Sequence, residues 1–275
     1  MITIVTDSTA YLTHEEASRL GVVIVPMSYS FGAGPSINEG CIEEDDDRAE
    51  MQVAQQIDQA HTSQAPISVF LSTFSRIRRA GSDVLCITMS SRLSGTYSNA
   101  VLAARELGNK RIEVVDSLTT CAGLYLLICE AHCMIQNGEK LSSIAKQLNK
   151  LRHQVRLAFS VDDMAPLRRS GRLGNVKMSI STVLNIKPIL EVREGAVVSA
   201  GIARGQIDRA NKLRAFCRAA CGKVVVDSFL GDEQASNLMI RLAGDDRELE
   251  RRRTGPVLGV HLGKGCIGVA YIENC

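Results

Sequence analysis

Ser90, Ser91, Ser94, Gly95 and Thr96 crowd one junction of the chain. They follow the apolar run DVLCITM (83–89) and lead into YSNAVLAAREL (97–107), which reads as a helix. Hydroxyls and a glycine between a buried strand and a helix suit three tasks: holding an anion, hosting a serine nucleophile, or capping the helix. The free N–H groups and the dipole of a helix start favour negative charge, and Ser94 and Gly95 fall at that start. As a plain N-cap, Ser94 would contribute about 1 kcal/mol. A nucleophile needs a base held by a third group. His261 is the candidate base, but no neighbouring acid orients it. Arg92 and Leu93 precede Ser94, so the G-x-S-x-G elbow is absent.

Two further clusters bear on the choice. HTSQAP (61–66) is a hydroxyl-rich turn ahead of a helix, with Thr62 or Ser63 as its cap or as a second pair of anion donors. The two turns would face one another across a sheet end. RRSGRLG (168–174) gathers Arg168, Arg169 and Arg172 around two glycines. It reads as a surface turn for the first two arginines and as a cation source for an anion held by Thr62 and Ser94. There is neither a G-x-x-x-x-G-K-[ST] loop nor a G-x-G-x-x-G turn, so the standard nucleotide signatures are missing.

The elements that position these clusters change character along the chain. ITIVTDS (2–8), VVIVPMSYSF (22–31), DVLCITMS (83–90), RIEVVDS (111–117) and RLAFSVDD (156–163) read as strands. Helical patterns fall near 13–20, 43–58, 66–80, 95–107, 120–138 and 141–152. Such alternation indicates a parallel sheet covered on both faces, with ligands at the carboxyl ends of its strands. After about residue 155, IKPILEVREGAVVSAGIA (186–203) reads as two strands joined at REG. Helices near 206–220 and 232–243 flank the strand KVVVDSFLG, and PVLGVHLG with CIGVAYIE forms a terminal strand pair. The expected fold is therefore α/β in two domains. Residues 1–155 form a three-layer α/β/α unit with a parallel sheet, and 156–275 a two-layer unit with a mixed sheet. EEDDDRAE (43–50) and ELERRR (248–253) read as solvated charged faces.

Composition narrows the function. With 45% apolar and 23% charged residues and a net charge of +2, the chain is an ordinary globular protein rather than a dedicated nucleic-acid binder. No apolar stretch is long enough for a membrane span and the start shows no signal peptide. Nine scattered cysteines suit a reducing cytoplasm, with pairs such as Cys129/Cys133 and Cys217/Cys221 serving as small apolar residues. Cys129, His132 and Cys133 match no standard zinc spacing, so no metal is expected.

In order and spacing the motifs resemble the DegV family of bacterial fatty-acid-binding proteins. The resemblance runs end to end: IVTDSTAYLT, VVIVPMSYSFG, TSQAP, SSRLSGTYSNA, VVDSLTTCAGL, RLAFSVDDMAPLRRSGRLG, LNIKPIL and GPVLGVHLGKGCIGVAY follow in family order. It implies a non-catalytic binder that encloses one long-chain fatty acid and presents its carboxylate to a separate ATP-dependent kinase. No further cofactor is implied, and peripheral membrane contact would serve lipid exchange. Thr62, Ser94 and the Gly95 amide would hold the carboxylate, Arg172 and His261 would complete the polar shell, and Arg204 would meet the kinase. Leu262 stands where the family has Thr, Lys264 where proline is common, and Gln206, Ile207 and Asp208 where it tends to basic residues. The head-group motifs are thus retained while the docking surface departs. The alternative is a stand-alone hydrolase or phosphotransferase using Ser94.

Overall fold

Four apolar runs pair first. In the computed structural model, which describes residues 1–42, 47–108, 110–173, 185–220, 222–243 and 247–273, β1 (Ile2–Asp7), β2 (Val22–Val25), β6 (Asp83–Thr88) and β7 (Ile112–Asp116) form an all-parallel sheet in the order β2-β1-β6-β7. The central strands are buried from Val84 to Thr88 without alternation, as a sheet covered on both faces requires. The covers are α1 (His14–Leu20), α3 (Ile67–Arg79), α4 (Thr96–Glu106), α5 (Cys121–Gln136) and α6 (Leu141–Leu151). α3 packs on α4, and α5 on α6. THEE starts α1 as a reciprocal cap: Thr13 Oγ1 accepts the Glu16 N–H at 3.1 Å and Glu16 Oε2 accepts the Thr13 N–H at 2.9 Å.

The run VVIVPMSYSF is two strands, not one. Pro26 cannot donate to a ladder, and the chain leaves the first sheet there. β3 (Met27–Phe31), β4 (Ile37–Glu39) and β5 (Ala60–Ser63) make a separate antiparallel sheet in the order β4-β3-β5. HTSQAP is therefore strand up to Ser63, with turn only beyond it. Helix α2 (Asp47–Gln55) is shorter than the 43–58 pattern, whose residues 43–46 lie outside the described residues. Its Asp47 and Glu50 pair with Arg253 rather than facing water alone.

A six-stranded sheet, β10-β9-β8-β13-β11-β12, holds the remaining strands: β8 (Val155–Ser160), β9 (Ile186–Arg193), β10 (Ala196–Arg204), β11 (Val224–Phe229), β12 (Leu249–Arg253) and β13 (Cys266–Ile272). Only β11 and β12 run parallel, so the sheet is mixed. β8 corrects the reading that placed RLAFSVDD after the parallel strands, because it pairs antiparallel with both β9 and β13. The REG turn is borne out. Glu194 and Gly195 take φ of 47° and 81°, the left-handed pair of a tight hairpin. Alternation along each strand separates two cores. Val224, Val226, Ile267 and Val269 pack under α8 (Gly205–Phe216) and α9 (Asp232–Leu242), while Leu157, Phe159, Val225 and Phe229 join the core of the first sheet.

The terminal pair was misread. PVLGVHLG is helix α10 (Pro256–Leu262), and the strand is LERRR, β12. A short run that is apolar all round has no period to distinguish helix from strand, and Pro256 at the first turn favours helix. The expected solvated face of β12 is also wrong at Arg252, whose guanidinium is buried. It pairs with Glu16 at 2.5 Å and Glu250 at 2.7 Å and lies 3.8 Å above the Tyr125 ring. Burial pushes the Glu16 and Glu250 carboxyls upward, but hydrogen bonds and charge from Arg252, joined at Glu250 by Lys223, hold both below their usual range. Breaking a buried pair strands the remaining charge. Arg252→Ala is expected to lower the unfolding free energy by about 3 kcal/mol, read by urea denaturation. A cost under about 1 kcal/mol, typical of a surface pair, would contradict this placement.

Candidate functional site

A cavity of about 350 Å³ opens between the inner face of the six-stranded sheet and the elements of the first half. Its size falls in the range of small-molecule sites, roughly 300–1,000 Å³. Leu157, Phe159, Val192 and Val197 wall it from the sheet, and Met27 and Met89 from the opposite side. Thr62, Ser63, Gln64, Ser94 and Gly95 line the same space with His261 and Arg172. The two hydroxyl-bearing segments and the α10 histidine, some 200 residues apart in sequence at the extremes, thus meet at one cavity.

Each polar group has a local cause. Thr62 sits at the end of β5, and its Oγ1 lies 2.9 Å from His261 Nε2. Neither Thr62 nor Ser63 caps α3, whose N-cap is Pro66 without a side-chain bond. Ser94 is not the cap of α4 either. That position is Gly95, again with no side-chain cap. Ser94 Oγ instead bonds Thr96 Oγ1 at 2.9 Å and accepts the Thr96 N–H at 3.3 Å. Ser94 Oγ thus meets the first N–H of α4, while the N-cap, Gly95, adds no side-chain acceptor, which leaves the following N–H groups of the helix start to suit an anion. A Cβ at Gly95 would stand 2.1 Å from Gln64 Oε1, so any larger residue there would make this exposed side chain swing aside. Gln64 and Asn99 escaped the sequence reading and Thr96 was noted only among the junction's hydroxyls, yet Thr96 and Asn99 join the two segments. Asn99 Nδ2 donates to the Ala65 carbonyl at 2.9 Å and the Ala65 N–H reaches Thr96 Oγ1 at 3.4 Å.

His261 is buried, and its Nδ1 has no hydrogen-bond partner among the described residues. Burial, helped by the charge of Arg172, pushes its imidazole down to about 4. It is thus neutral at ordinary pH, with one nitrogen engaged by Thr62 and the other available. Arg172 is exposed in the turn after α7 (Ala165–Arg169), where its guanidinium donates to the carbonyls of Ser170 at 2.5 Å and Leu93 at 3.5 Å. Gly174, at the end of the RRSGRLG motif, lies outside the described residues. Arg169 is a surface residue paired with Asp58 at 2.5 Å. Arg204 stands apart from the cavity, exposed at the end of β10, where its N–H donates to Asp208 Oδ2 at 2.8 Å. Ser94 and His261 line one cavity without a recorded bond between them, and the histidine's bond goes to Thr62. His132 Nδ1 bonds the Leu20 carbonyl at 3.0 Å, so the Cys129–His132–Cys133 segment directs its histidine to backbone. Cys221, partner of Cys217 in the sequence pattern, lies outside the described residues.

The cavity's other polar groups were not legible as a site. Asp227, Thr254, Cys121 and Cys266 line it too. Asp227 inside VVVDSF was the available signal, a lone charge in an otherwise apolar strand.

The family model described as "Uncharacterised protein, DegV family" matches residues 1–274. The chain belongs to the DegV family. A DegV domain-containing protein of Deinococcus radiodurans is 32% identical over 98% of this chain and 97% of its own length. Two solved DegV structures superimpose over nearly the whole chain. The Thermus thermophilus protein, described as binding fatty acid, has a TM-score of 0.87 at 27% identity, covering 98% of this chain and 99% of its own. The Bacillus subtilis DegV, described as a fatty acid binding protein, has a TM-score of 0.85 at 28% identity, covering 99% of each chain. No helix among the described residues of this DegV chain is long and apolar enough to cross a membrane.

The imidazole links pH to stability. A histidine whose folded pKa lies below its unfolded value of about 6.5 must release a proton to fold. Its contribution is complete above pH ~6.5 and is lost as pH falls toward 4. In ligand-free protein, His261→Gln should flatten the fall in unfolding free energy between pH ~6.5 and about 4. An unchanged slope would mean that His261 is accessible to water and protonates freely.

Proposed function

We propose that this protein binds one long-chain fatty acid, its tail in the cavity and its carboxylate at Thr62, Ser94 and the Gly95 amide, with Arg172 and His261 completing the shell. The observation that carries the reading is the joining, in one cavity, of an apolar barrel of side chains with a helix start and a neutral hydroxyl–imidazole pair. Burying each methylene is worth about 0.8 kcal/mol, so a long tail supplies most of the affinity. The carboxylate must be met by donors, because an unpaired buried ion costs several kcal/mol. The Thermus and Bacillus relatives, described as fatty acid binding proteins, support the same ligand class.

In this reading the chain is a binding subunit, not a catalyst, and presents the exposed carboxylate end to a separate ATP-dependent kinase. Arg204 belongs to the docking surface, weakened by the acidic neighbour Asp208, which also pairs with Lys212 at 3.6 Å. A reducing cytoplasm, with transient contact to a membrane for lipid exchange, completes the reading. The two functional units divide at 155/156, with the second covering the acyl chain. A hydrolase using Ser94 is less well supported, since the nearest imidazole is engaged by Thr62 rather than by Ser94.

Protein purified from cells should yield close to one fatty acid per chain by denaturing extraction and mass spectrometry. A lipid-free protein that also ignores added oleate and palmitate would overturn the proposal. Thr62→Ala and Ser94→Ala should each weaken fatty acid binding by about 1.5–3 kcal/mol, the worth of a hydrogen bond to a charged group. Stability should fall less than affinity, since Ser94 gives up one bond to the first N–H of α4 and Thr62 its bond to His261. In a coupled assay, Arg204→Ala should bind fatty acid normally, but its bound fatty acid should be phosphorylated more slowly, with the difference narrowing as salt screens the encounter. Equal rates at low salt would remove Arg204 from the docking surface.

A further inference from the structure

The cavity is also lined by a carboxyl with spare hydrogen-bonding capacity. Asp227 is 5% exposed and lines the cavity. Its Oδ2 accepts the Ala122 N–H at 3.0 Å, in the first turn of α5. No hydrogen bond to Oδ1 is recorded among the described residues, and that oxygen is not among the enclosed atoms lacking a partner. Space beside it is kept open by Gly268, directly opposite on β13. A Cβ at Gly268 would lie 3.8 Å from the Asp227 Cβ and 3.3 Å from the Phe159 Cβ. Thr254 and Cys121 adjoin, their Oγ1 and Sγ 3.9 Å apart. His261, Leu258, Val257 and Thr254 all line the cavity at spacings of three, four and seven residues. Within α10, Val257, Leu258 and His261 face the cavity over about 6 Å at helical rise, and Thr254 lies just before the helix.

We infer that Asp227 is a specificity-determining residue, and that the ligand class it selects is long-chain fatty acids bearing a hydroxyl along the chain. This rests on the fatty-acid reading above and deepens it. A plain alkyl chain laid over Asp227 removes water from the carboxyl and returns nothing. A chain hydroxyl donates to Oδ1 instead, and the bond is strongest when the carboxylate is charged. Burial raises the Asp227 carboxyl to about 7, against the lowering effects of the Ala122 amide and the Arg252 charge and with a further rise from Glu250. The groups facing it are Arg252 and Glu250 from β12, Cys121 from α5 and Cys266 from β13. Both thiols are pushed up by burial and stay neutral, and the Glu250 carboxyl lies below its usual range. In the ligand-free cavity burial holds His261 down to about 4, below this range. Between pH ~6 and ~8 the charge of Asp227 therefore changes, and the Asp227→Leu variant separates its effect from that of any other group.

The test measures dissociation constants of the delipidated full chain for stearic acid and for a panel of mid-chain hydroxystearic acids, at pH ~6 and ~8, on either side of the Asp227 transition. The expected result is a preference of about tenfold or more for at least one hydroxystearic isomer at the higher pH, narrowing at the lower because stearic acid binds better there. Asp227→Leu should abolish the preference and tighten stearic acid binding. Asp227→Asn keeps an acceptor for the Ala122 N–H and guards against a folding defect in the leucine variant. It should retain a smaller preference that no longer varies with pH. Equal affinity for stearic acid and every hydroxy isomer at both pH values overturns the inference and leaves the fatty-acid reading intact. A preference that survives Asp227→Leu also overturns it. Failure to bind any of these acids overturns both.

Discussion

Helix α5 has almost no polar face, and the architecture follows from covering it. Leu124, Leu127, Ile128 and Ala131 are fully buried, with Tyr125 and Leu126 nearly so. A helix that is apolar all round needs protein on every side. β1 and β6 of the parallel sheet cover one side; β8, β11 and β13 of the mixed sheet cover the other. The two halves consequently share one core, to which both sheets contribute. The cavity lies beside the start of this helix, at Thr120 and Cys121, where the two covers part.

Polar ties across the same boundary set the position of α10. A helix leaves its first N–H groups without internal partners, and α10 has no side-chain cap of its own. The N-terminal half supplies the acceptors: Tyr11 Oη takes the Leu258 N–H at 3.0 Å and Glu39 Oε1 takes the Val257 N–H at 2.8 Å. Gly255 permits the approach, since a Cβ there would meet Tyr11 Cε1 at 2.6 Å. Ser90 Oγ donates to the Gly195 carbonyl at 2.7 Å, tying the hydroxyl-rich junction to the hairpin of the other sheet. His261 thus faces Thr62 because residues near the chain's beginning hold the helix that carries it.

The cavity divides its labour along its length. Its walls are aliphatic and aromatic side chains that can exclude water from a chain but cannot orient it. In the proposed reading orientation falls to Thr62, Ser94, the α4 start and His261, which offer dipoles rather than a buried counter-ion. A full salt bridge there would carry its own desolvation penalty. Arg172 contributes charge from an exposed position, where water screens it.

Sequence alone determined a good deal: the alternation of apolar runs and helices, the parallel order of the first half, the REG hairpin, and the motifs that mark the family. Those are local patterns with one physical reading, an apolar strand, an amphipathic helix or a turn that demands left-handed backbone. What failed locally had two readings. PVLGVHLG is apolar all round, so its period carries no information, and the acceptors from Tyr11 and Glu39 add to the weak local signal of Pro256 to make it a helix. RRR in β12 looks solvated until Glu16, more than 200 residues away, reaches Arg252. Ser94 and Thr62 looked like caps because capping is the local use of a hydroxyl, and only the packing of α3 against α4 left both without that task. Asp227 was one acid in a strand until the tertiary structure set Gly268 beside it and a cavity before it. Sequence determines what each segment can satisfy by itself; the remaining polar groups take their meaning from partners that only long-range packing supplies.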